Sequence, residues 1–226
     1  MRLCSLLGIA LVLSLPAAAT VADAREAPRG AATSHRRFDD VEHWVRVFDD
    51  PARAAWQKPA EVVAALGLEP GMVVADVGAG TGYFMRLLAT AVGPRGTVFA
   101  AEVEPALLVH LRDRAQREGT TNVVPVLIPQ DRPGLPPGLL DLVLLVDTYH
   151  HIDRRLIWLE RLHDVLRPGG RVAIVDWEKR PAPVGPELEH KLARDQVLDE
   201  MTASGFTLIA APDLLPYQYL LIFRRR

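Results

Sequence analysis

The segment Val73–Phe84 constrains the fold of this chain more than any other stretch. It reads VVADVGAGTGYF, an apolar run that ends in an acidic residue followed by three glycines at alternate positions. Because glycine lacks a Cβ atom, a backbone of this composition can turn sharply and approach a ligand closely. A helix that follows such a turn begins with N–H groups that have no partner within the helix. We therefore expect a strand, a ligand-binding glycine loop and a helix, in that order.

Length and composition predict one folded domain of moderate size. A chain of 226 residues with 49% hydrophobic residues can form a single well-buried core. Its formal net charge of -2 provides no bulk attraction to nucleic acid or to an anionic membrane, so we expect neither as a partner. The single cysteine, Cys4, excludes an intramolecular disulfide and a cysteine-based zinc cluster. We predict no metal site, and composition leaves the oligomeric state open.

The first 24 residues have the pattern of a cleavable secretory signal peptide. Arg2 is followed by an uncharged run from Leu3 to Leu15 and then by small residues. The small-x-small pattern of a cleavage site fits both Ala19 and Ala24 as the last residue removed. We therefore expect an exported protein, periplasmic or secreted, with no stable membrane insertion after cleavage.

The alternative for this region is a membrane anchor formed by residues 3–22. That stretch is just long enough to span a bilayer, although Pro16 and the alanines after it argue against a continuous helix. Residues 25–37 are polar and without periodicity, which indicates a flexible linker. The folded domain is expected over residues 38–226.

The folded domain is predicted to open with helices at 38–66 and then to alternate strands with helices. The apolar runs lack the polar alternation of a half-exposed strand, which favours a parallel sheet covered by helices on both faces. The last two strands are joined by a loop too short for a crossover helix, so they should pair antiparallel. After the strand of the glycine loop, strands are expected at 97–101, 123–128, 140–146, 171–175, 206–211 and 217–223, and helices at 83–92, 105–118, 154–166 and 186–204.

Two common nucleotide loops are disfavoured by the residues of this one. A dinucleotide loop has glycine or alanine at the third position of Gly-x-Gly-x-x-Gly, where this chain has Tyr83. A phosphate-binding P-loop ends in Gly-Lys-Ser or Gly-Lys-Thr, and this loop contains no lysine. NAD-dependent oxidoreductases and ATP or GTP hydrolases are therefore unfavoured classes.

Acidic residues and glycines recur at fixed places relative to the predicted strands. They are Asp76, Gly78, Gly80 and Gly82 in the loop, Glu102 at the end of the second strand, and Asp131 after the third. This pattern resembles that of the class I S-adenosylmethionine-dependent methyltransferases, over residues 58–223. The resemblance implies an α/β fold with a Rossmann-like, doubly wound sheet of seven strands, mostly parallel with an antiparallel last strand, and S-adenosyl-L-methionine as the cofactor.

The resemblance assigns roles to these residues. The loop, with Ala79 among its glycines, would lie against the methionine part of the cofactor, and Asp76 would orient the loop or contact the amino group. Glu102 would accept hydrogen bonds from both ribose hydroxyls, since one ionised carboxylate can accept from a vicinal diol. Asp131 would contact the adenine amine, with Gln130 beside it. Taken singly, each acid also fits an ordinary surface or turn residue.

Candidates for the chemistry follow the fourth strand. Asp147, His150 and His151 stand where a group facing the substrate is expected, and a histidine there can remove a proton from an oxygen or nitrogen acceptor. A histidine that only supports the next helix is the alternative for each. The candidates for a substrate pocket are Arg53, Trp56, Tyr83 and Tyr149.

The methyl acceptor is not identified by these residues. The sequence lacks the Asn/Asp-Pro-Pro-Tyr signature of enzymes that methylate planar amide or base nitrogens, which disfavours DNA adenine and glutamine as targets. We predict a methyltransferase that acts on a small-molecule substrate. The alternative is a non-catalytic module that binds S-adenosylmethionine or a nucleoside in an exported protein.

Overall fold

The computed structural model describes residue 38 and residues 40–226. The predicted signal peptide or anchor and the linker lie outside these residues, so both stay predictions. Within the described part of the chain, each helix is too short or too polar to cross a bilayer.

Seven strands form one sheet in the order β3-β2-β1-β4-β5-β7-β6. All neighbours are parallel except β7, which is antiparallel to both β5 and β6. This arrangement confirms the predicted fold class and the antiparallel last pair. The strands are β1 (Val73–Val77), β2 (Thr97–Glu102), β3 (Val123–Leu127), β4 (Leu140–Val146), β5 (Leu166–Trp177), β6 (Phe206–Ala210) and β7 (Gln218–Arg225).

Helices cover both faces of the sheet. Three of them supply apolar side chains to the core on one face, namely α3, α4 and α5, and two supply the other face, α6 and α7. Every residue of β4 is buried, as expected for a strand between two helical layers. The helices are α1 (Val41–Phe48), α2 (Arg53–Gln57), α3 (Pro59–Ala65), α4 (Met85–Val92), α5 (Pro105–Glu118), α6 (Arg155–Val165) and α7 (Arg194–Ala203).

The long helix predicted over residues 186–204 is wrong in its first half. That half contains only a 3₁₀ turn at Leu188–His190, and α7 begins at Arg194. The reason is Lys191, which is extended and buried, and whose ammonium donates a 2.9 Å hydrogen bond to the carbonyl of Arg180. The burial of Lys191 and Leu192 in an extended conformation outweighs the helical propensity of this segment.

The register of the central strands places three acidic residues at one edge of the sheet. In β1, Val77 pairs with Ala101 of β2 and with Leu145 of β4. The chain leaves β1 towards β2 on one side and returns to β4 on the other, and ligands of open α/β sheets bind at such a switch point. Asp76, Glu102 and Asp147 therefore lie at neighbouring strand ends.

Candidate functional site

The glycine loop is packed against the backbone of β2 and the loop after β4. The N–H groups of Gly78 and Ala79 donate to the carbonyl of Ala101 at 2.8 and 3.2 Å. Gly78 has a φ of 74°, and a Cβ atom there would lie 2.4 Å from Oγ1 of Thr148. Only glycine satisfies both the backbone angle and the space.

Glu102 holds the glycine loop from below. Its side chain is 4% exposed, and Oε2 accepts a 2.8 Å hydrogen bond from the N–H of Gly80. Oε1 accepts from the N–H groups of Val103 and Glu104 at 2.8 and 3.0 Å. Burial raises the pKa of Glu102, and these backbone donors partly offset that rise. The carboxylate thus links the end of β2 to the loop.

Asp76 lies beneath the same loop at the end of β1. It is 3% exposed, and burial raises its pKa to about 7, helped by the nearby Glu102 and opposed by Arg53. A carboxyl group in this state ionises readily when a cation arrives beside it. Asp76 is therefore suited to contact an ammonium group.

The end of α1 is joined to the glycine loop by a cluster of polar side chains that no local sequence pattern indicates. The hydroxyl of Thr81 donates to Oδ1 of Asp49 at 2.8 Å. The guanidinium of Arg114 on α5 donates to Oδ2 of Asp49 at 2.8 Å and to the carbonyl of Thr81 at 2.9 Å. These contacts place Phe48 over Gly80, where a Cβ atom would lie 3.6 Å from the ring.

A second polar group joins α2 to the sheet in a closed ring of four side chains. Nε of Arg53 donates to Oε1 of Gln57 at 2.9 Å, and Nε2 of Gln57 donates to Oε1 of Gln218 at 2.7 Å. Gln218 in turn donates to Asp147, whose other oxygen lies 3.6 Å from the guanidinium of Arg53. The same guanidinium lies 4.2 Å from the ring centroid of Tyr83.

Asp147 has a left-handed backbone conformation and a raised pKa. Its φ of 54° is left-handed, a conformation that non-glycine residues adopt rarely and often at functional sites. Burial raises its pKa to about 7, and the guanidinium of Arg53 opposes that rise. Asp147 lines the cavity, and its raised pKa makes it a weaker acid there than an exposed aspartic acid.

His150 forms a buried pair with Asp176 at the end of β5. Nδ1 of His150 lies 2.8 Å from Oδ1 of Asp176, and the N–H of His150 donates to Oδ2 at 3.2 Å. Burial lowers the pKa of His150, whereas the carboxylates of Asp176 and Asp147 raise it, and the net change is upward. The imidazole of His151 lies 4.2 Å from that of His150.

Several of these groups line one cavity of about 510 Å³. The glycine loop, Asp76, Glu102, Val103 and Leu107 line it together with aromatic rings, and one of these rings, Phe48, lies over Gly80. The predicted residues that the structure brings to this cavity are Arg53, Trp56, Asp76, Gly78, Ala79, Gly80, Tyr83, Glu102, Asp147, His150 and His151; the aromatic wall adds Phe38, Trp44, Phe48 and Trp177.

Four predicted residues do not line the cavity. Tyr149 is fully buried on the other face of the strand end, where its hydroxyl donates to Oε2 of Glu200 at 2.7 Å. Gly82 packs against Leu111 of α5, which lies 2.9 Å from the position of a Cβ atom. The substrate role expected for Tyr149 therefore does not match its placement.

The other two are the predicted adenine contacts after β3. Asp131 forms ion pairs with Arg161 at 2.7 Å and Arg132 at 3.0 Å, and Gln130 is exposed. The guanidinium of Arg161 also donates to the carbonyl of Asp131, which holds this loop against α6. Near the end of β2, the described residues that do line the cavity are Glu102 and Val103.

Several residues of the site have no local signature in the sequence. Asp49, Gln57 and Gln218 act through partners far along the chain. Asp176 does have a signal, because it ends the apolar run of β5 at the same sheet edge as Glu102 and Asp147.

The residues fit S-adenosylmethionine if one of the hydrogen bonds that Glu102 accepts is broken. A carboxylate has about four acceptor positions, and three are already used by the N–H groups of Gly80, Val103 and Glu104. A vicinal diol needs two, so ribose binding requires Glu102 to release one backbone donor. Gly80 is the donor that belongs to the loop rather than to the chain directly after Glu102.

Comparison with known proteins agrees with this geometry. A family model described as a methyltransferase domain matches residues 75–172. A ubiquinone/menaquinone biosynthesis C-methyltransferase of Burkholderia multivorans is 26% identical over 161 residues, which are 71% of this chain and 65% of that protein. Two further curated relatives are matched over 50% of their own length. The chain therefore spans less than two thirds of the length of each of these three curated relatives.

Solved structures share the fold over most of this chain. A SAM dependent methyltransferase from Aquifex aeolicus superposes with a TM-score of 0.79 at 25% identity, over 85% of this chain and 100% of that chain. A Burkholderia thailandensis 1,6-didemethyltoxoflavin-N1-methyltransferase with bound S-adenosylhomocysteine gives 0.60 at 22% identity, over 82% and 83%, and shares the fold. In its glycine loop, its sheet order and these similarities, the chain resembles the class I S-adenosylmethionine-dependent methyltransferases, and residues 75–172 match a methyltransferase domain.

Proposed function

We propose that this chain transfers the methyl group of S-adenosylmethionine to a small-molecule acceptor. The observation that carries the proposal is that one cavity runs from the glycine loop and Glu102 to an aromatic wall and His150. A module that only bound the cofactor would not need the second part. Methyl transfer needs both, because acceptor and methyl carbon must be aligned in a space that excludes water.

The cofactor part of the cavity uses the residues around β1 and β2. When bound, S-adenosylmethionine supplies a methyl group on a sulfonium, which is already a good leaving group. The Gly78–Thr81 backbone approaches the methionine part, and Asp76 pairs with its ammonium group. Glu102 accepts the ribose hydroxyls after it releases Gly80. Each role follows from the charge and position of the protein group.

The acceptor part of the cavity is closed by the N-terminal helices. Arg53 and Asp147 hold α2 against the strand ends, and Phe48 and Trp177 exclude water from the space between them. His150 takes the proton that an oxygen or nitrogen acceptor loses on methylation. The ring of His151 lies beside it, tilted by 38°, and supports its orientation.

A small acceptor is also what the relatives suggest. The Burkholderia multivorans protein is named for C-methylation in ubiquinone and menaquinone biosynthesis. Because this chain covers 65% of that protein, we transfer from it only the size class of the acceptor and not its identity.

Isothermal titration calorimetry measures which cofactor binds. We expect the folded domain, residues 38–226, to bind S-adenosylmethionine and S-adenosylhomocysteine and not NAD. If neither adenosyl ligand binds, the proposal fails. Release of S-adenosylhomocysteine in a screen of small acceptors then separates an enzyme from the non-catalytic alternative, which binds the cofactor but turns over none of them.

Export remains part of the proposal because residues 1–24 have the pattern of a signal peptide. The amino-terminal residue of protein purified from its own cells checks this. Residue 20 or 25 as the first residue indicates cleavage, whereas an uncut chain in the membrane fraction favours the anchor.

A further inference from the structure

We propose that Gly185 is a specificity-determining residue, because its contact with Trp177 limits the size of the apolar group that an acceptor can place in the cavity. The contact belongs to the β5–α7 loop, residues 178–193, which connects the end of β5 to α7. This inference rests on the proposed methyl transfer and adds to it the residue that limits the acceptor and the chemistry of the acceptor's apolar part.

The β5–α7 loop contributes directly to the cavity. Side chains without charge from three segments line the cavity there, namely Trp56 of α2, Trp177 at the end of β5, and Val184, Gly185 and Pro186 in the middle of the loop. The rings of the two tryptophans are 5.2 Å apart between centroids. Because a buried charge without a partner is costly, the group of the acceptor that lies against these residues is apolar and uncharged.

The cation closest in the chain to Trp56 is already engaged by the protein. Among the described lining residues, Arg53 is the only arginine or lysine. Its guanidinium lies 6.0 Å from the ring centroid of Trp56, but it donates to the carbonyl of Phe48 and to Gln57 and lies 3.6 Å from Asp147. An anionic group would have to compete with Asp147 for this arginine, whereas a neutral apolar group needs no such partner.

Gly185 lies directly against the ring of Trp177. A Cβ atom at Gly185 would lie 2.6 Å from Cζ3 of Trp177 and 2.7 Å from both Cε3 and Cη2. These three atoms are consecutive in the six-membered ring, so the nearly equal distances place the Cβ position over the face of the ring and not beside its edge. Carbon atoms pack no closer than van der Waals contact, so a side chain at position 185 forces either the loop or the ring to move.

The β5–α7 loop is held near both of its ends. Near its start, the guanidinium of Arg180 donates a 2.7 Å hydrogen bond to the carbonyl of Pro216. Near its end, Lys191 is 1% exposed, and its ammonium donates to the carbonyl of Arg180 at 2.9 Å and lies 5.6 Å from the centroid of the Trp177 ring. Lys191 thus joins the two ends of the loop, and an outward movement of the loop costs these hydrogen bonds.

The size of the cavity therefore depends on residues 185 and 177 together. Trp177 is 4% exposed and lines the cavity, as does Gly185. A methyl group at position 185 takes up space in this wall and displaces the indole ring, which reduces the room for an acceptor beside the tryptophans. A smaller side chain at position 177 has the opposite effect, because it leaves space under the loop.

The test uses N-phenyl-1-naphthylamine, a neutral apolar dye whose fluorescence rises in apolar surroundings, with saturating S-adenosylhomocysteine. We expect the wild type to bind the dye. Gly185→Ala should weaken dye binding by about 10-fold or more, since it overpacks the wall, and should change the affinity for S-adenosylhomocysteine by less than about 3-fold. Gly71→Ala is the matched control, because Gly71 has a φ of 95° against 92° at Gly185 but nothing within 4 Å of a Cβ atom. It should bind the dye as the wild type does.

Trp177→Leu shows whether the contact itself is responsible. Leucine keeps the position apolar but places no ring under Gly185, so Gly185→Ala should weaken dye binding by less than about 2-fold when it is combined with Trp177→Leu. The same four proteins, compared by urea denaturation, give a second readout of this coupling that does not need the dye. An equal effect of Gly185→Ala with tryptophan and with leucine at 177 in both measurements would assign the effect to the backbone angle and overturn the inference.

A further variant covers the case in which Gly185→Ala does not fold. Val184→Phe adds a ring to the same wall and leaves both Gly185 and Trp177 in place, so it should also weaken dye binding and spare S-adenosylhomocysteine. The inference is overturned if the wild type does not bind the dye, or if the folded variants at 184 and 185 bind it as tightly as the wild type. A wild type that does not bind S-adenosylhomocysteine contradicts the proposed function instead.

Discussion

The amide of Gln57 donates a 2.7 Å hydrogen bond to the amide oxygen of Gln218, which lies 161 residues further along the chain. Both side chains are buried, and the amide nitrogen of Gln218 donates a hydrogen bond to Asp147. The bond therefore joins the N-terminal helices to the last strand and to the end of β4. Helix α2, which lines the cavity, is thus fixed by a residue of the last strand.

We expect Gln218→Ala to lower the free energy of unfolding by about 1 to 3 kcal/mol, because it leaves buried partners on Gln57 and Asp147 unsatisfied. Urea denaturation measures this. Gln116→Ala on the exposed side of α5 is the control and should change stability by less than about 0.5 kcal/mol. The double variant with Gln57→Ala should lose less than the sum of the two single losses, since they share one bond. Strict additivity would contradict the connection.

Replacing Glu102 by Ala should weaken binding of S-adenosylhomocysteine by about 1.5 to 3 kcal/mol, the range for hydrogen bonds to a charged group. This corresponds to a loss of roughly 10- to 150-fold in affinity. Calorimetry measures it, with the exposed Glu160→Ala as the matched variant. An affinity equal to that of the wild type would remove Glu102 from the ribose site.

Two glycines with similar backbone angles should respond very differently to alanine. Gly78 and Gly119 have φ values of 74° and 66°, but a Cβ atom would lie 2.4 Å from Thr148 at the first and in open space at the second. We expect Gly119→Ala to cost about 1 kcal/mol from the backbone angle alone. Gly78→Ala should cost distinctly more and should abolish adenosyl binding. Thermal melts and calorimetry of both variants give the comparison, and equal melting temperatures would refute the close packing of the loop.

The acidity of Asp76 predicts how stability depends on pH. Its pKa rises from the ordinary 3.8 to about 7 on folding, so the folded chain keeps a proton that the unfolded chain loses. Its contribution to stability is therefore complete below about pH 4 and is lost as the pH rises through 7. The loss is at most about 4 kcal/mol.

Asp76→Asn removes this titration. Urea denaturation of the ligand-free protein at a series of pH values should show a smaller fall in stability between pH 4 and 7 for the variant than for the wild type. Asp113→Asn should leave the wild-type curve unchanged. Parallel curves for Asp76→Asn and wild type would mean that Asp76 is ionised throughout.

Local patterns predict much of the fold and the part of the cavity that the glycine loop and Glu102 line. The strands of the parallel sheet are apolar without alternation because they are buried on both faces, and that property is visible in the sequence. The glycines of the loop and the acid at the end of β2 are adjacent to their own strands. Their positions follow from the rule that such strand ends meet at one edge.

The rest depends on which distant segments the sheet order brings together. Asp131 follows its strand as predicted, yet Arg161 from α6 engages it and it does not line the cavity. Tyr149 is next to His150 in the chain but faces the opposite core, because the 3₁₀ turn at Tyr149–His151 directs neighbouring side chains apart. The spacing of residues in the sequence does not predict where these two side chains lie.

By itself, the sequence determined the Rossmann-like sheet, the glycine loop and the acidic residue at the end of β2, since each depends on residues close together in the chain. Only the tertiary structure decided that Gln218 holds α2, that Asp176 supports His150 and that the aromatic wall faces the glycine loop. The physical reason is that these contacts join β5, β7 and the N-terminal helices, whose proximity is set by strand order and register rather than by any local preference of the residues involved.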